Sequence, residues 1–156
     1  INSVGGSGDT HQSFFDHVRL DVIPNNFTTY ITNPAYGIDP ADQGLSDDPD
    51  SDGISNGIEA WFGTHPGVHT AGLANLAITG TVTTFTHPQN TTLPSDLTGS
   101  YEWSPNLADW YSSGSGASGG ATVSFTSDTS GSTTTVTATA SETVDKIFLH
   151  AKVTSK

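Results

Sequence analysis

The sequence contains no cysteine and no methionine, and lysine and arginine together supply only four of its 156 residues. Without cysteine the chain has no disulfide, no thiolate metal site and no cysteine nucleophile. Sixteen acidic residues give a net charge of −12. A nucleic-acid partner is therefore not expected, because binding to nucleic acid depends on lysine and arginine side chains that neutralise phosphates. A strongly anionic chain is instead suited to divalent cations.

Long hydrophobic runs are also missing. No apolar stretch approaches the roughly 18 residues of a membrane-spanning helix, so we expect no membrane insertion. Only 33% of the residues are hydrophobic, which is lean for a core, although three tryptophans, four tyrosines and seven phenylalanines can anchor a modest one. A lean, threonine-rich, acidic chain without cysteine is typical of exported bacterial β-proteins. The composition thus predicts an extracellular protein, either secreted or held at the cell surface.

Residues 1–24 are predicted to form an N-terminal strand. Apolar and polar residues alternate there with a period of two, which is the pattern of a half-buried strand. Its apolar face comprises Phe14, Val18, Leu20 and Val22, and Asp16 is the one polar residue on that side. Pro24 ends the strand, since proline cannot donate to a sheet ladder. An isolated amphipathic strand has to bury its apolar face and pair its backbone, so this segment needs a partner.

Residues 25–70 form a predicted connector in which prolines and glycines recur and no convincing strand is found. Asn26 is predicted to cap a short helix. A second helix is predicted from about 55 to 62, because apolar side chains recur there at helical spacing. Gly63 supplies a stop signal directly after it.

Residues 71–156 are predicted to be an all-β domain. Short runs of strand-forming residues alternate with turn segments, which is typical of an antiparallel β-sandwich. The predicted strands cover residues 76–86, 99–104, 109–112, 121–127, 133–140 and 146–153. The predicted fold class is therefore mainly β: an antiparallel β-sandwich with an N-terminal extension strand and a calcium-binding loop-helix connector.

One motif carries specific chemistry. Residues 48–59 read DPDSDGISNGIE and match the calcium-loop pattern D-x-[DN]-x-[DN]-G-x₅-E at every fixed position. Calcium takes about six to eight oxygen ligands, and aspartates at alternate positions of a tight loop can direct their carboxylates at one centre. The pattern adds a glycine for the turn, a backbone carbonyl, and a glutamate that closes the site with both oxygens. The predicted Ca²⁺ ligands are Asp48, Asp50, Asp52, Ile54, Asn56 and Glu59.

The alternative is that this acidic run is a solvated turn without an ion. Without an ion, however, the acidic side chains of the loop repel one another, and both Gly53 and Glu59 stand in register with the calcium pattern. Pro40 and Gly44 prevent a long helix directly before the loop. We therefore expect a permanent structural clamp rather than a sensor that opens.

The run DPDSDGISNGIEAWFGTHP at 48–66 resembles the DPDGDGxxNxxEYxxGTDP segment of large secreted bacterial proteins. The calcium loops of that segment are similar to thrombospondin type 3 and dockerin repeats. His65 stands where the pattern has aspartate. A small C-terminal β-domain often follows in such proteins, and residues 101–110 and 146–153 resemble its signature and closing strand. Residues 15–24 resemble the last strand of a β-sandwich that often precedes the segment. The resemblance implies an exported, calcium-stabilised module and implies no activity.

The sequence shows no enzyme signature. It has no nucleophile elbow of the form G-x-S-x-G, and the acids outside the calcium region form no recognisable pair of the kind that glycosidases use. We therefore predict that the protein is not an enzyme. Trp103 and Trp110 are candidates for a sugar-stacking platform, although aromatic residues in such strands more often belong to the core.

Three fates are open to the N-terminal strand. It folds back into its own sandwich, it is the edge of a truncated preceding domain, or it completes the sheet of another copy of the chain. We favour the last, because a long connector braced by calcium would let the strand reach a neighbouring copy. Head-to-tail strand donation of this kind generates open filaments. The predicted function is thus a calcium-binding extracellular structural protein that self-assembles into filaments. The alternatives are a carbohydrate-binding accessory module of a larger secreted enzyme, which would bind cell-surface or matrix glycans, and a passive interdomain spacer.

Overall fold

The computed structural model of the protein describes residues 23–156. The predicted N-terminal strand lies outside the described residues, and so do its apolar members Phe14, Val18, Leu20 and Val22. Within the described residues, no helix has the length and the hydropathy needed to cross a membrane.

The described chain folds into three short helical elements followed by seven strands. The helical elements are α1 (Phe27–Ile31), a 3-10 turn (Pro40–Asp42) and α2 (Asn56–Phe62). The strands are β1 (Asn75–Thr79), β2 (Val82–Pro88), β3 (Leu97–Ser104), β4 (Tyr111–Ser112), β5 (Val123–Ser130), β6 (Thr133–Ala140) and β7 (Phe148–Ser155). All helical elements of this part of the chain therefore precede all of its strands.

The start of α1 and the end of α2 lie where local capping chemistry predicts. The Asn26 side chain accepts a hydrogen bond from the backbone N–H of Thr29 at 2.8 Å and caps the start of α1. Helix α2 begins after Ser55. Gly63 ends it in a left-handed conformation and donates its N–H to the carbonyl of Glu59. The predictions of both helices, made from spacing and caps, are confirmed.

Two predictions in the β region need correction. The prediction of one strand over 76–86 is wrong, because the chain reverses after Thr79 and forms the β1–β2 hairpin. Gly80 has a φ of 60°, as the turn of a tight hairpin requires. The strand predicted over 121–127 extends further than expected, since β5 and β6 remain paired up to Ser130 and Thr133. In both hairpins a threonine-rich alternation continues close to the turn and conceals it.

The strands form two antiparallel sheets, with the orders β1-β2-β6-β5 and β4-β3-β7. Alternate residues of β2 and β6 are buried, which is the period-two pattern of strands with one face on a core. Both sheets contribute to this core: Trp103 comes from β3, Val123 from β5, and Ala138 and Ala140 from β6. The protein is therefore mainly β, and its two sheets are consistent with the predicted β-sandwich.

Helix α2 closes one end of the core with Trp61. The indole is only 7% exposed, and its ring centroid lies 5.2 Å from that of His87 on β2 and 5.5 Å from that of Tyr101 on β3. Gly99 permits this approach, because a Cβ at that position would lie 2.1 Å from Trp61 Cε2. The carbonyl of Trp61 also accepts a hydrogen bond from the backbone N–H of Asn90 at 3.0 Å. The connector is thus fastened to both sheets.

Candidate metal centre

The loop between the 3-10 turn and α2 is organised by its own carboxylates. Asp48 accepts hydrogen bonds from the backbone N–H of Asp52 at 3.2 Å and of Gly53 at 2.9 Å. Asp52 accepts one from the N–H of Ile54 at 2.7 Å and another from the N–H of Thr70 at 2.8 Å. The last bond ties the loop to the segment that leads into β1. Together these hydrogen bonds between carboxylates and backbone N–H groups hold the loop in a tight turn.

Three aspartates converge at the centre of this turn. Asp48, Asp50 and Asp52 each place one carboxylate oxygen within 4.8 Å of the others. Asp50 Oδ2 is buried and has no hydrogen-bond partner. Removal from water, together with the charges of Asp52 and Asp48, raises the pKa of Asp50. The result is a convergent set of hard oxygens, which is the type of ligand that Ca²⁺ prefers.

Asn56, the first residue of α2, carries a buried oxygen in the segment that follows the triad. The residue is fully buried, and its Nδ2 donates to the carbonyl of Asp42 at 2.8 Å and to that of Gly44 at 2.9 Å. These two bonds use both donors of the amide and leave Oδ1 buried without a partner. A buried acceptor without a donor costs about 1–3 kcal/mol. The orientation of the amide therefore leaves a buried oxygen that a hydrogen-bond donor or a cation would stabilise.

Glu59 lies in the first turn of α2 and is also fully buried. Its Oε1 accepts a long hydrogen bond from Thr64 Oγ1 at 3.5 Å, whereas Oε2 has no partner. Burial, reinforced by the negative charges of Asp50, Asp52 and Asp48, raises the pKa of Glu59 to about 8. A buried carboxylate close to three further acids destabilises the fold unless a cation or a proton neutralises it.

The residues present fit a calcium ion. Every donor is an oxygen, and the unpaired oxygens of Asn56 and Glu59 accompany the converging aspartates that precede them in the chain. Glu59 is not a member of the set whose oxygens all lie within 4.8 Å of one another, although the charges of all three aspartates act on its carboxylate. For Ile54 the contact described is the N–H that it donates to Asp52, and its role as a carbonyl ligand stays a prediction.

Sequence reasoning missed the backbone groups that support the site. The carbonyls of Asp42 and Gly44 orient the Asn56 amide, and the N–H of Thr70 holds Asp52 from outside the loop. No signal in the sequence marks these positions, because a backbone carbonyl or N–H is supplied by nearly any residue type. Only the folded chain shows which ones are close enough.

The prediction of a sugar platform shared by Trp103 and Trp110 is wrong. Trp103 is 2% exposed in the core, and its Nε1 donates to the carbonyl of Ser115 at 2.8 Å. Trp110 stacks on His150 with a centroid distance of 3.8 Å. His150 is the cross-strand neighbour of Glu102 and contacts it at 3.0 Å. Because successive residues of a strand point to opposite faces, Trp103 and the group around Trp110 cannot contact one ligand.

Comparisons with protein-family models, with curated proteins and with solved structures give no match to this chain. The function of the site therefore has to follow from its own residues.

Proposed function

We propose that the protein is a calcium-stabilised structural module of the extracellular space, in which one Ca²⁺ at residues 48–59 fastens the connector to the β-domain. The observation that carries the proposal is the presence of three buried oxygens without partners, Asp50 Oδ2, Asn56 Oδ1 and Glu59 Oε2, in the segment that carries the aspartate triad. Buried polar atoms without partners are rare in folded proteins, and one cation would satisfy all three.

The chemistry of the donors favours Ca²⁺ over other common cations. Carboxylate and amide oxygens are hard ligands, and the predicted set lacks the nitrogen or sulfur donors that Zn²⁺ prefers. Mg²⁺ demands near-ideal octahedral geometry at about 2.0–2.1 Å, whereas Ca²⁺ accepts irregular sets at about 2.3–2.6 Å. A set that combines ligands from an irregular loop and from a helix suits the less demanding ion. Its double positive charge also offsets the repulsion among the acids.

The ion would act on the fold through α2. Glu59 and Trp61 belong to the same helix, so a ligand that holds Glu59 also holds the indole in the end of the core. The element before the loop is the 3-10 turn Pro40–Asp42 rather than a long helix. A pair of long helices that opens on binding is therefore not available at this loop, and a permanent clamp is the role that remains.

An extracellular location agrees with this role. Extracellular calcium modules bind with a Kd of about 10⁻⁴–10⁻³ M, and such weak affinity is sufficient where calcium is abundant. The composition without cysteine, with its excess of acids, is of the exported type described above. We therefore place the protein outside the cell, as a secreted or surface-held structural component without catalytic activity.

The test compares urea unfolding of the full chain in calcium and in EDTA. A ligand at 100 times its Kd stabilises the native state by about 2.7 kcal/mol. Glu59→Gln should remove this stabilisation. In EDTA the same variant should be more stable than the wild type, because it lacks the uncompensated buried charge. Glu142→Gln, the same change at an exposed acid after β6, should shift neither value by more than about 0.5 kcal/mol.

Two results would contradict the proposal. One is an unfolding free energy that does not respond to calcium. The other is an equal gain in unfolding free energy on adding calcium for the Glu59→Gln and Glu142→Gln variants, since calcium would then stabilise the protein without the buried carboxylate of Glu59. Equal stabilisation by magnesium would contradict the assignment of the ion as calcium.

A further inference from the structure

The two sheets are joined along one side and open along the other. On the joined side, the N–H of Gly114 after β4 donates to the carbonyl of Val123 at 2.7 Å, and Ser113 Oγ accepts from the N–H of Phe125 at 2.9 Å. The opposite side is formed by β1 and β7. Among residues 23–156, β1 pairs only with β2, and β7 pairs only with β3. The outer edges of β1 and β7 therefore carry no strand from the described residues.

A groove between these two edges leads into the core. One cavity of about 390 Å³ is bounded by Ile78 of β1 and by Ile147 and Phe148 on the β7 side. A second cavity, of about 160 Å³, is bounded by Leu76 of β1 and Leu149 of β7. Ile78 and Leu76 are 62% and 59% exposed. Large apolar side chains exposed together beside an apolar groove mark a docking surface.

Strand β1 also lacks the features that normally protect an edge. Natural edge strands are guarded by charged residues, prolines or bulges, because an unpaired edge is a template for another strand. The sequence of β1 is NLAIT, which contains neither a charge nor a proline, and all five residues are exposed. This edge is therefore open to a strand that brings its own apolar face.

We propose that the groove receives residues 14–22 of a second copy of the chain. In that segment, four of the five alternate positions from 14 to 22 are apolar and the fifth is Asp16; a spacing of two residues lets a strand fill a groove from one face. Fully extended, the segment would be about 30 Å long, enough to cover the eight residues of β7. The side chains that would enter the groove are Phe14, Val18, Leu20 and Val22.

The charges of the two surfaces differ in sign. Three of the four basic residues of the chain, Lys146, Lys152 and Lys156, lie on β7 or directly beside it, and Lys152 is already paired with Glu102 at 2.8 Å. The inserting segment carries Asp16 and Asp21 together with the fourth basic residue, Arg19. A strand laid along β7 would therefore bring one net negative charge toward these lysines.

The position of the first described residues favours insertion of the segment into the groove of a second copy rather than into the groove of its own copy. The carbonyl of Asn25 accepts from the N–H of Ser95 at 2.8 Å, at the end of the sheet where Lys156 donates its N–H to Asp96. A segment that reached its own groove from this anchor would run parallel to β7. All five described strand pairings are antiparallel, and antiparallel pairing is the more stable. The pairing we propose is the antiparallel one with β7, and from this anchor it requires the β7 of a second copy. Ile23, two residues before the anchor, is 76% exposed.

Donation to a second copy has a defined consequence for assembly. Each chain has one strand to give and one groove to fill, so the contact is head-to-tail and produces an open filament. The inference goes beyond the calcium proposal and does not depend on it, because none of the groove residues belongs to the metal centre.

The experiment uses the full chain and a pair of complementary variants, with mass measured by sedimentation velocity and fold by circular dichroism. Leu20→Asp places a charge on the apolar face of the strand, and Ile78→Asp places one in the groove, so each should prevent the contact. Leu76→Asp is a second variant of the groove. Because Ile78 and Leu76 are exposed, these changes should leave the fold intact. Leu107→Asp is the matched control, since Leu107 is 58% exposed in the β3–β4 loop.

The wild type and Leu107→Asp should rise several-fold above the 16.2 kDa of one chain as concentration increases. Leu20→Asp and Ile78→Asp alone should remain at the mass of one chain. An equimolar mixture of the two should form a complex of two chains and nothing larger. The intact strand of the Ile78→Asp variant would fill the intact groove of the Leu20→Asp variant, and neither chain could bind a third. A wild type that stays monomeric, assembly that survives in both groove variants, or a mixture without a two-chain complex would overturn the proposal.

Discussion

The packing of Trp61 on Gly99 allows a quantitative test of how the connector is held. An alanine Cβ at position 99 would lie 2.1 Å from Trp61 Cε2 and 2.2 Å from Cζ2. No real contact is that short, so the indole has to leave its place in the end of the core. Removing a buried tryptophan by Trp61→Ala costs about 3–5 kcal/mol. We expect Gly99→Ala to cost about 3 kcal/mol, since it displaces most of the same buried surface without deleting it.

The double variant separates this explanation from a general effect on β3. Once residue 61 is alanine, the Cβ at position 99 meets no indole, so the combined cost should exceed that of Trp61→Ala by less than about 1 kcal/mol. The two changes should therefore be non-additive by about 2 kcal/mol, which is within the range of contacting residues. The assay is urea unfolding in saturating calcium with linear extrapolation to water.

The control is Gly120→Ala, where the added Cβ would meet only ordinary contacts at 3.5 Å and 3.7 Å from Ala117. That change should fall within about 0.5 kcal/mol of the wild type. Additive costs for Gly99→Ala and Trp61→Ala, or a neutral Gly99→Ala, would refute the packing argument. Calcium should also stabilise the Gly99→Ala variant less than the wild type, because Glu59 is in the same helix as Trp61.

Two further predictions concern pH and surface charge. Burial lowers the pKa of His87, so the folded protein keeps it neutral while the unfolded chain takes up a proton as the pH falls through about 6.5. The stability that depends on neutral His87 is thus present above that pH and lost below it. Between about pH 7 and pH 5, His87→Gln should flatten the fall in unfolding free energy, and an unchanged slope would contradict the assignment. The hydrogen bond from Lys152 lowers the pKa of Glu102. Even so, Glu102→Gln should lower the unfolding free energy by less than about 1 kcal/mol, and by less still in high salt, because the charges of a surface pair are screened. Its carboxylate contacts Lys152 at 2.8 Å, but that lysine is 48% exposed. A loss above about 2 kcal/mol in urea unfolding would show that this pair is more than a surface interaction.

The features that the sequence determined by itself are local. Asn26 and Gly63 specify helix ends, because a cap acts on backbone groups within a few residues. The converging aspartates follow from the same cause, since alternate positions of one tight loop bring their carboxylates together wherever the loop lies. The alternation that identifies strands in the β-domain is local in the same sense.

Tertiary structure alone decided how these pieces meet. Alternation indicates that a strand has two different faces but not which one is buried. From the sequence, Trp103 and Trp110 were therefore equal candidates for a binding surface, and only the paired sheets show that Trp103 belongs to the core whereas Trp110 stacks on His150. Residues distant in sequence fix the rest. Gly99 admits Trp61 to the core, and the carbonyl of Asp42 orients the amide of Asn56. In the part of the chain that the structure describes, the groove between β1 and β7 exists because the two sheets are joined on the opposite side only. Burial and pairing depend on neighbours supplied by the fold, and a linear pattern does not contain them.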